Sequence, residues 1–330
     1  MATSLNWGAS KGEVRRSFIH SVIAIGGAPM YSGPSDVKQV VKARRLDSSK
    51  RDFGCLLIVG GSEVYSGAPA LAGLAALRTG AGLVLIAAPA SVAATIRGYS
   101  PNLIVYSLSG SVVSARDMEK LSELLESSDA LVLGPGIGRN RETTDVVPSI
   151  VEMAAQAKKP ILVDADAIRA FAERKQQLKA ANVVITPHAG EFRAISGIDA
   201  RLKGKQRLPI CKKFAKDYSC ILLLKGHNTV VSDGRRLRVN RTGNPGMAVG
   251  GMGDVLSGII GTFLAQGADR FFAAVAGAYI HGLAGDLVRK QKGFHMVASD
   301  LIEALPYVLR RYDTTRTDGA KSYTSQTNRT

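Results

Sequence analysis

Gly250, Gly251, Gly253 and Asp254 stand just ahead of an amphipathic run in this 330-residue chain. Val255, Leu256, Ile259, Ile260, Phe263 and Leu264 follow at helical spacing. The glycines therefore sit at a predicted helix N-terminus. Free backbone N–H groups and the positive end of the helix dipole attract anions there. Without Cβ atoms the backbone can approach a phosphate closely. The Asp254 carboxylate beside that cradle suits a base acting on a hydroxyl that attacks a phosphoryl group.

Further polar segments suit the same chemistry. Lys225, in Lys225-Gly226-His227-Asn228-Thr229, is a point charge for phosphate oxygens. Glu191, in Thr186-Pro187-His188-Ala189-Gly190-Glu191, could hold a hydrated Mg²⁺ that bridges phosphates. Positioned donors, a metal and a base are the main parts phosphoryl transfer needs. No Gly-x-x-x-x-Gly-Lys-Ser/Thr run is present, which excludes a P-loop enzyme. Gly60-Gly61-Ser62 lacks the Gly-x-Gly-x-x-Gly spacing, which disfavours a dinucleotide-binding dehydrogenase fold.

The elements that must position these residues follow from apolar patterning. Strands are expected at Cys55–Val59, 82–87, 103–105, 130–133, 161–163, 183–185, 220–224 and 229–231. Helices are expected at 35–41, with Asp36 in the first turn, and at 68–78. Others fall between most of the strands. The last third reads as helices at 254–265, 271–289 and 298–309. Continuous apolar strands alternating with helices imply an α/β fold with a central, mostly parallel sheet covered on both faces. Open sheets of this class bind ligands beyond the carboxyl ends of their strands. Gly60-Gly61-Ser62, Gly134-Pro135-Gly136-Ile137-Gly138, Asp164-Ala165-Asp166, the His188 segment and the Lys225 segment all fall at such ends. The expected organisation is a lead-in over residues 1–35, one domain over 36–312 and a polar tail over 313–330.

Composition narrows the class. Hydrophobic residues make up 45% of the chain, enough for a large core. No apolar stretch approaches the ~18 residues that span a bilayer, so no membrane partner is expected. Cys55, Cys211 and Cys220 lack metal-ligand spacing, and an odd count without a disulfide framework points to a reducing, cytoplasmic setting. Arg15-Arg16 ahead of Val22-Ile23-Ala24-Ile25 imitates a twin-arginine export signal, but His20 and Ser21 interrupt it. The net charge is +16, and residues 201–241 hold twelve Lys or Arg against two Asp. Such a segment attracts nucleotide phosphates or nucleic acid. Its aromatic residues, Phe214 and Tyr218, are few and no nucleic-acid motif is visible, so no nucleic-acid partner is expected. The charge is assigned to the nucleotide site and to solvated surface.

These segments, in order, resemble the ADP/ATP-dependent NAD(P)H-hydrate dehydratases of the ribokinase-like superfamily. The likeness runs from about Asp36 to Leu309. Its motifs are Gly61-Ser62, Tyr65-x-Gly67-Ala68, Leu77-Arg78-x-Gly80-Ala81-Gly82-Leu83-Val84, Gly134 to Gly138 and Asp164 to Ala167. Thr186 to Glu191, Lys225-Gly226 with Thr229, Asn244 to Leu256 and His281-Gly282-x-Ala284-Gly285-Asp286 complete it. The resemblance implies repair of hydrated NADH or NADPH. A ring hydroxyl is phosphorylated by ADP or ATP, and phosphate then leaves. It implies that Asp254 is the base and that Ala68, Gly136, Gly138, His188 and Asp254 contact the hydrate. It further implies that Lys225, Gly226, His227, Asn228 and Thr229, with Gly250, Gly251 and Gly253, contact the nucleotide. Mg²⁺ held by Glu191 through water, and a homo-oligomer, a tetramer in relatives, are implied as well.

Two departures stand out. Ala189 replaces a frequent Pro, and His188-x-x-Glu191 replaces the Asn-x-x-Glu of many small-molecule kinases in the superfamily. The second disfavours the rival reading as a hydroxyethylthiazole or hydroxymethylpyrimidine kinase. Residues 31–37 resemble the linker that follows an epimerase domain in fused relatives. Only about 50 residues precede the dehydratase-like body, too few for such a domain. A separate epimerase is therefore expected.

Overall fold

All five residues of Cys55–Val59 are buried, which is what a strand covered on both faces requires. The computed structural model describes residues 30–181, 183–198 and 206–316. The Arg15-Arg16 segment, Arg201, Lys203 and Lys205, and the tail beyond residue 316 lie outside the described residues.

In chain order, β1 (Met30–Tyr31), α1 (Pro34–Lys38) and β2 (Arg44–Arg45) lead into β3 (Cys55–Val59), α2 (Gly67–Thr79), β4 (Leu83–Ala88), α3 (Ala90–Gly98) and β5 (Ile104–Ser107). Then come α4 (Met118–Glu126), β6 (Ala130–Leu133), α5 (Arg141–Gln156), β7 (Ile161–Val163), α6 (Asp166–Arg169), α7 (Gln177–Ala181), β8 (Val184–Ile185) and α8 (Ala189–Ser196). The chain continues through α9 (Arg207–Asp217), β9 (Ile221–Leu224), β10 (Thr229–Ser232), β11 (Leu237–Asn240), α10 (Met252–Ala265), α11 (Arg270–Lys292), α12 (Ala298–Leu309) and β12 (Thr315–Arg316).

Among the described residues, ten strands form one sheet in the order β1-β11-β10-β9-β8-β7-β6-β3-β4-β5. From β9 to β5 every pairing is parallel. β10 is antiparallel to both β9 and β11. A turn at Asp233 to Arg236 is too short for a crossover and dictates a hairpin. The sequence expectation missed β11, and it placed Met30 and Tyr31 in a lead-in although they pair with β11 at the sheet edge.

Side chains alternate between two cores, as a period of two requires. Leu56, Ile58, Val132, Leu162 and Leu223 face α2, α10, α11 and α12. Leu57, Val59, Leu131, Val163 and Leu222 face α4, α5, α8 and α9. Helix α10 is buried at twelve of its fourteen positions, so its N-terminus is fixed by packing. Helix α11 is long and apolar enough for a bilayer span by length and composition, contrary to the sequence expectation. Yet 67% of that window is buried, which makes it a central core helix.

Candidate active site

The parallel ladder carries the strand-end segments to one edge. Its hydrogen bonds continue past the strands, from Gly134 N to Val59 O, Asp164 N to Leu133 O, Thr186 N to Val163 O and Lys225 N to Pro187 O. Gly134, Asp164, Thr186 and Lys225 therefore stand side by side, beyond the carboxyl ends of four neighbouring strands. The N-terminus of α10 reaches the same place. A Cβ on Gly253 would lie 3.4 Å from Lys225 Nζ and 3.7 Å from Asp164 Oδ2.

Gly251 is the N-cap of α10 at φ +86°. That left-handed backbone favours glycine, and a Cβ there would sit 2.7 Å from Leu71 Cδ1 and 2.8 Å from Ala298 Cβ. The start of the glycine run is tied down from α11. Asp286 accepts from Gly243 N at 2.9 Å and from Asn244 Nδ2 at 3.1 Å. Gly285 lies against Met247 and Gly282 against Thr242, so this second glycine motif serves close packing.

Asp164 is the buried centre of the charges. Its Oδ1 accepts from Lys225 Nζ at 2.8 Å and its Oδ2 from Ser257 Oγ at 2.7 Å. Burial alone would raise its pKa, but the Lys225 ammonium, with the Ser257 and Thr186 hydroxyls, outweighs burial and holds it below the usual carboxylate range. Ala165, which follows, holds φ +53° and ψ −137°. Such a backbone costs a non-glycine residue about 1–3 kcal/mol and often marks a functional site.

Glu191 lies 3.9 Å from Lys225 Nζ. Burial pushes its carboxyl up, with Lys225 opposing and Asp164 assisting. Burial would lower the Lys225 pKa, but Asp164 and Glu191 together hold it above its ordinary value. Asp254 is pushed up to about 7, first by burial and then by the charge of Asp164. A carboxylate at that value can take a proton at neutral pH. Nearby on α11, burial pushes His281 down to about 4, so it is neutral there.

His188 and Glu191 form a capping box on α8. His188 Nδ1 accepts from Gly190 N at 2.9 Å and from Glu191 N at 3.2 Å, while Glu191 Oε2 accepts from His188 N at 2.7 Å. That pattern assigns the ring proton to Nε2, which lies 3.4 Å from Glu191 Oε1. His188 thus caps α8, and its exposed side chain leaves room for a second role.

Gly136 meets the start of α2, where a Cβ on it would lie 2.9 Å from Ala68 Cβ. Gly138 lies beside Ser62. Lys225, Gly226, His227 and Asn228 connect β9 to β10, with Gly226 and His227 exposed, and Thr229 Oγ1 at the start of β10 donates to Gly226 O at 3.2 Å. Gly250 is open to solvent.

The sequence reading named Asp164 as part of a strand-end motif but gave it no role. An acid directly after an apolar strand was the available signal. Ser257, one helical turn beyond Asp254, and Arg207 carried no signal at all. The basic segment is also corrected in part. Lys212, Lys216, Arg235 and Arg236 line a wide groove beside Pro160 and Cys220, which precede β7 and β9. That is the opposite edge of the sheet, away from the acids. Width alone would put a ligand there, whereas the convergent charges and the glycine cradle put the chemistry at the carboxyl edge. Arg238 pairs with buried Asp36 at 3.3 Å. Of this segment, Lys225 enters the charge cluster.

Comparison with known proteins agrees with the geometry. A carbohydrate-kinase-type family described as NAD(P)H-hydrate dehydratase matches residues 56–307. The chain is 41% identical to a bifunctional NAD(P)H-hydrate repair enzyme of Pyrobaculum aerophilum, over 86% of this chain and 56% of that one. It thus spans little more than half the length of that relative. It is 37% identical to an ADP-dependent (S)-NAD(P)H-hydrate dehydratase of Cenarchaeum symbiosum, over 85% of this chain and 97% of that one. Among solved structures, an ADP/ATP-dependent NAD(P)H-hydrate dehydratase of Bacillus subtilis, co-crystallised with ATP and Mg²⁺, superposes with a TM-score of 0.72. It is 26% identical and covers 87% of this chain and all of that one.

Proposed function

This chain belongs to the NAD(P)H-hydrate dehydratase family, with a ribokinase-like fold, and we propose that it restores NADH or NADPH from the ring-hydrated form. The carrying observation is Asp254, poised at about 7 behind the glycines of α10 and beside the Lys225–Asp164–Glu191 cluster. Asp254 takes the proton of the ring hydroxyl. The hydroxyl oxygen attacks the terminal phosphorus of ADP, releasing AMP, while the N–H groups of Gly250, Gly251 and Gly253 receive the phosphoryl oxygens. Phosphate then leaves the ring carbon with the C–O electron pair. A proton departs from the neighbouring carbon, and the double bond returns. Lys225 sets the charge along the phosphate path. ADP is preferred as donor because relatives of nearly the same length are described as ADP-dependent.

Ala68, Gly136, Gly138 and His188 line the hydrate's side of the site, and residues 225–229 the nucleotide's side. A metal fits in one form. Among the described residues no three ligating side chains converge, and Glu191 Oε2 is already engaged by His188 N. A hydrated Mg²⁺, contacted through water by Glu191 and mainly by nucleotide phosphates, is compatible with both facts and would neutralise phosphate charge. The same reading has the protein act as a homo-oligomer.

The test is recovery of NADH absorbance from hydrated NADH with ADP, and separately with ATP. No recovery with either nucleotide overturns the proposal.

A further inference from the structure

Arg207 opens α9 and is buried, yet among the described residues it has no carboxylate partner. Its guanidinium is spent on backbone carbonyls instead. Nη2 donates to Leu224 O at 3.1 Å and to Lys225 O at 3.0 Å, and Nη1 donates to Asn228 O at 3.1 Å. These carbonyls bracket the link between β9 and β10. They belong to the last strand residue, the charged residue after it and the residue just before the next strand. A planar fork can hold three such acceptors at once, whereas an ammonium cannot match that geometry. Gly226 completes the fit, because a Cβ there would come within 2.5 Å of Nη1. The guanidinium thus occupies the space beneath the loop that any larger residue at 226 would claim.

We infer that Arg207 is a positioning residue for the nucleotide. It fixes the curvature of Lys225 to Thr229 and, through the backbone of Lys225, the point from which Nζ reaches Asp164. This rests on the reading of residues 225–229 as the nucleotide's side of the site. The role is remote in sequence and comes from the same basic run that supplies Lys225. Loss of the clamp frees the loop without removing a group that meets either substrate. Nucleotide binding then carries the cost of ordering the loop.

Steady-state kinetics with ADP and hydrated NADH test this on Arg207→Lys and Arg207→Met, alongside Gly226→Ala and Thr229→Ala. Arg207→Met should raise KM for ADP by about tenfold or more, the scale of lost charge-assisted hydrogen bonds. The KM for the hydrate should stay within about twofold, and Arg207→Lys should recover part of the loss. A double-mutant cycle gives a readout that general destabilisation would not move. Gly226→Ala should raise KM for ADP in the wild type, where the new methyl meets the guanidinium, and much less in the Arg207→Met background. If Met at 207 fails to fold, Arg207→Lys with Gly226→Ala supplies the same cycle. If Gly226→Ala and Thr229→Ala raise KM for ADP while both Arg207 variants leave it unchanged, the inference is overturned and the nucleotide reading stands. If all four leave KM for ADP unchanged, the reading of the loop is overturned, and the inference with it.

Discussion

Lys225 Nζ sits 2.8 Å from Asp164 Oδ1, while Ser257 Oγ closes on the other carboxylate oxygen at 2.7 Å. The pair joins the ends of β7 and β9 across β8, and α10 contributes the third partner. It anchors the cation that faces the glycine cradle, and its acid helps set the proton affinity of Asp254.

Replacing Asp164 by Asn should therefore act on two properties. Leaving Lys225 without its buried partner should cost about 3 kcal/mol of stability, measured by denaturant unfolding. Residual activity should have its acid limb displaced to lower pH, because a negative charge that raises the Asp254 pKa has gone. An acid limb that stays in place would show that the charge of Asp164 does not tune Asp254.

The pH–rate profile of the wild type should rise through about 7, where Asp254 loses its proton. Below that value the rate should fall about tenfold per pH unit, the behaviour of a single required base. Lys225 is held above its ordinary 10.5, so it adds no descending limb near neutrality. A profile flat over roughly pH 5 to 8 would remove Asp254 as the base.

Asp254→Asn should abolish turnover while ADP still binds. It should also stabilise the fold, with a definite pH dependence. The folded carboxyl holds its proton to about 7 and the unfolded one to about 3.8. Between those values the native state binds more protons, so wild-type stability falls as pH rises. The gain from Asn should thus grow from about pH 4 to 7 and then level off, at a few kcal/mol at most. Thermal unfolding of both proteins at pH 4, 7 and 8, taken as roughly spanning that window, checks this. A gain of the same size at every pH would contradict it.

His188→Ala should lose the α8 cap and about 1 kcal/mol of stability. His188→Asn should keep the cap, since an Asn side chain also accepts from the first-turn N–H groups. Both should weaken binding of the hydrate, because neither retains the imidazole Nε2–H of this exposed side chain. If His188→Asn binds hydrated NADH as the wild type does, capping is the whole role of this side chain.

Gly251→Ala should lower turnover by about a hundredfold and cost about 1–3 kcal/mol of stability. Its φ of +86° and the 2.7 Å approach of Leu71 Cδ1 leave no room for a methyl without moving the cradle. Single-turnover rates at saturating ADP and hydrate measure this, and a near-normal rate would mean that the run tolerates displacement.

The parallel core of the sheet was legible in the residues alone. Buried strands such as Ile161–Val163 are continuous apolar runs, and local patterning suffices to find them. It also placed Gly251 and Asp254 at a helix start and gathered Lys225, His188 and Glu191 at strand ends, because a parallel sheet sends all those ends to one edge. Strand β11 escaped because its alternation, Leu237 to Asn240, is interleaved with arginine and is half exposed. Other features were decided by tertiary structure alone. Asp164 and Ser257 are 93 positions apart in the chain, and the pull of one acid on another depends on distance and burial, which no local pattern encodes. The proton affinity of Asp254, the capping geometry of His188 and the inward turn of Arg207 follow from the same fact. Residue types named the chemistry, and packing set the field in which each group works.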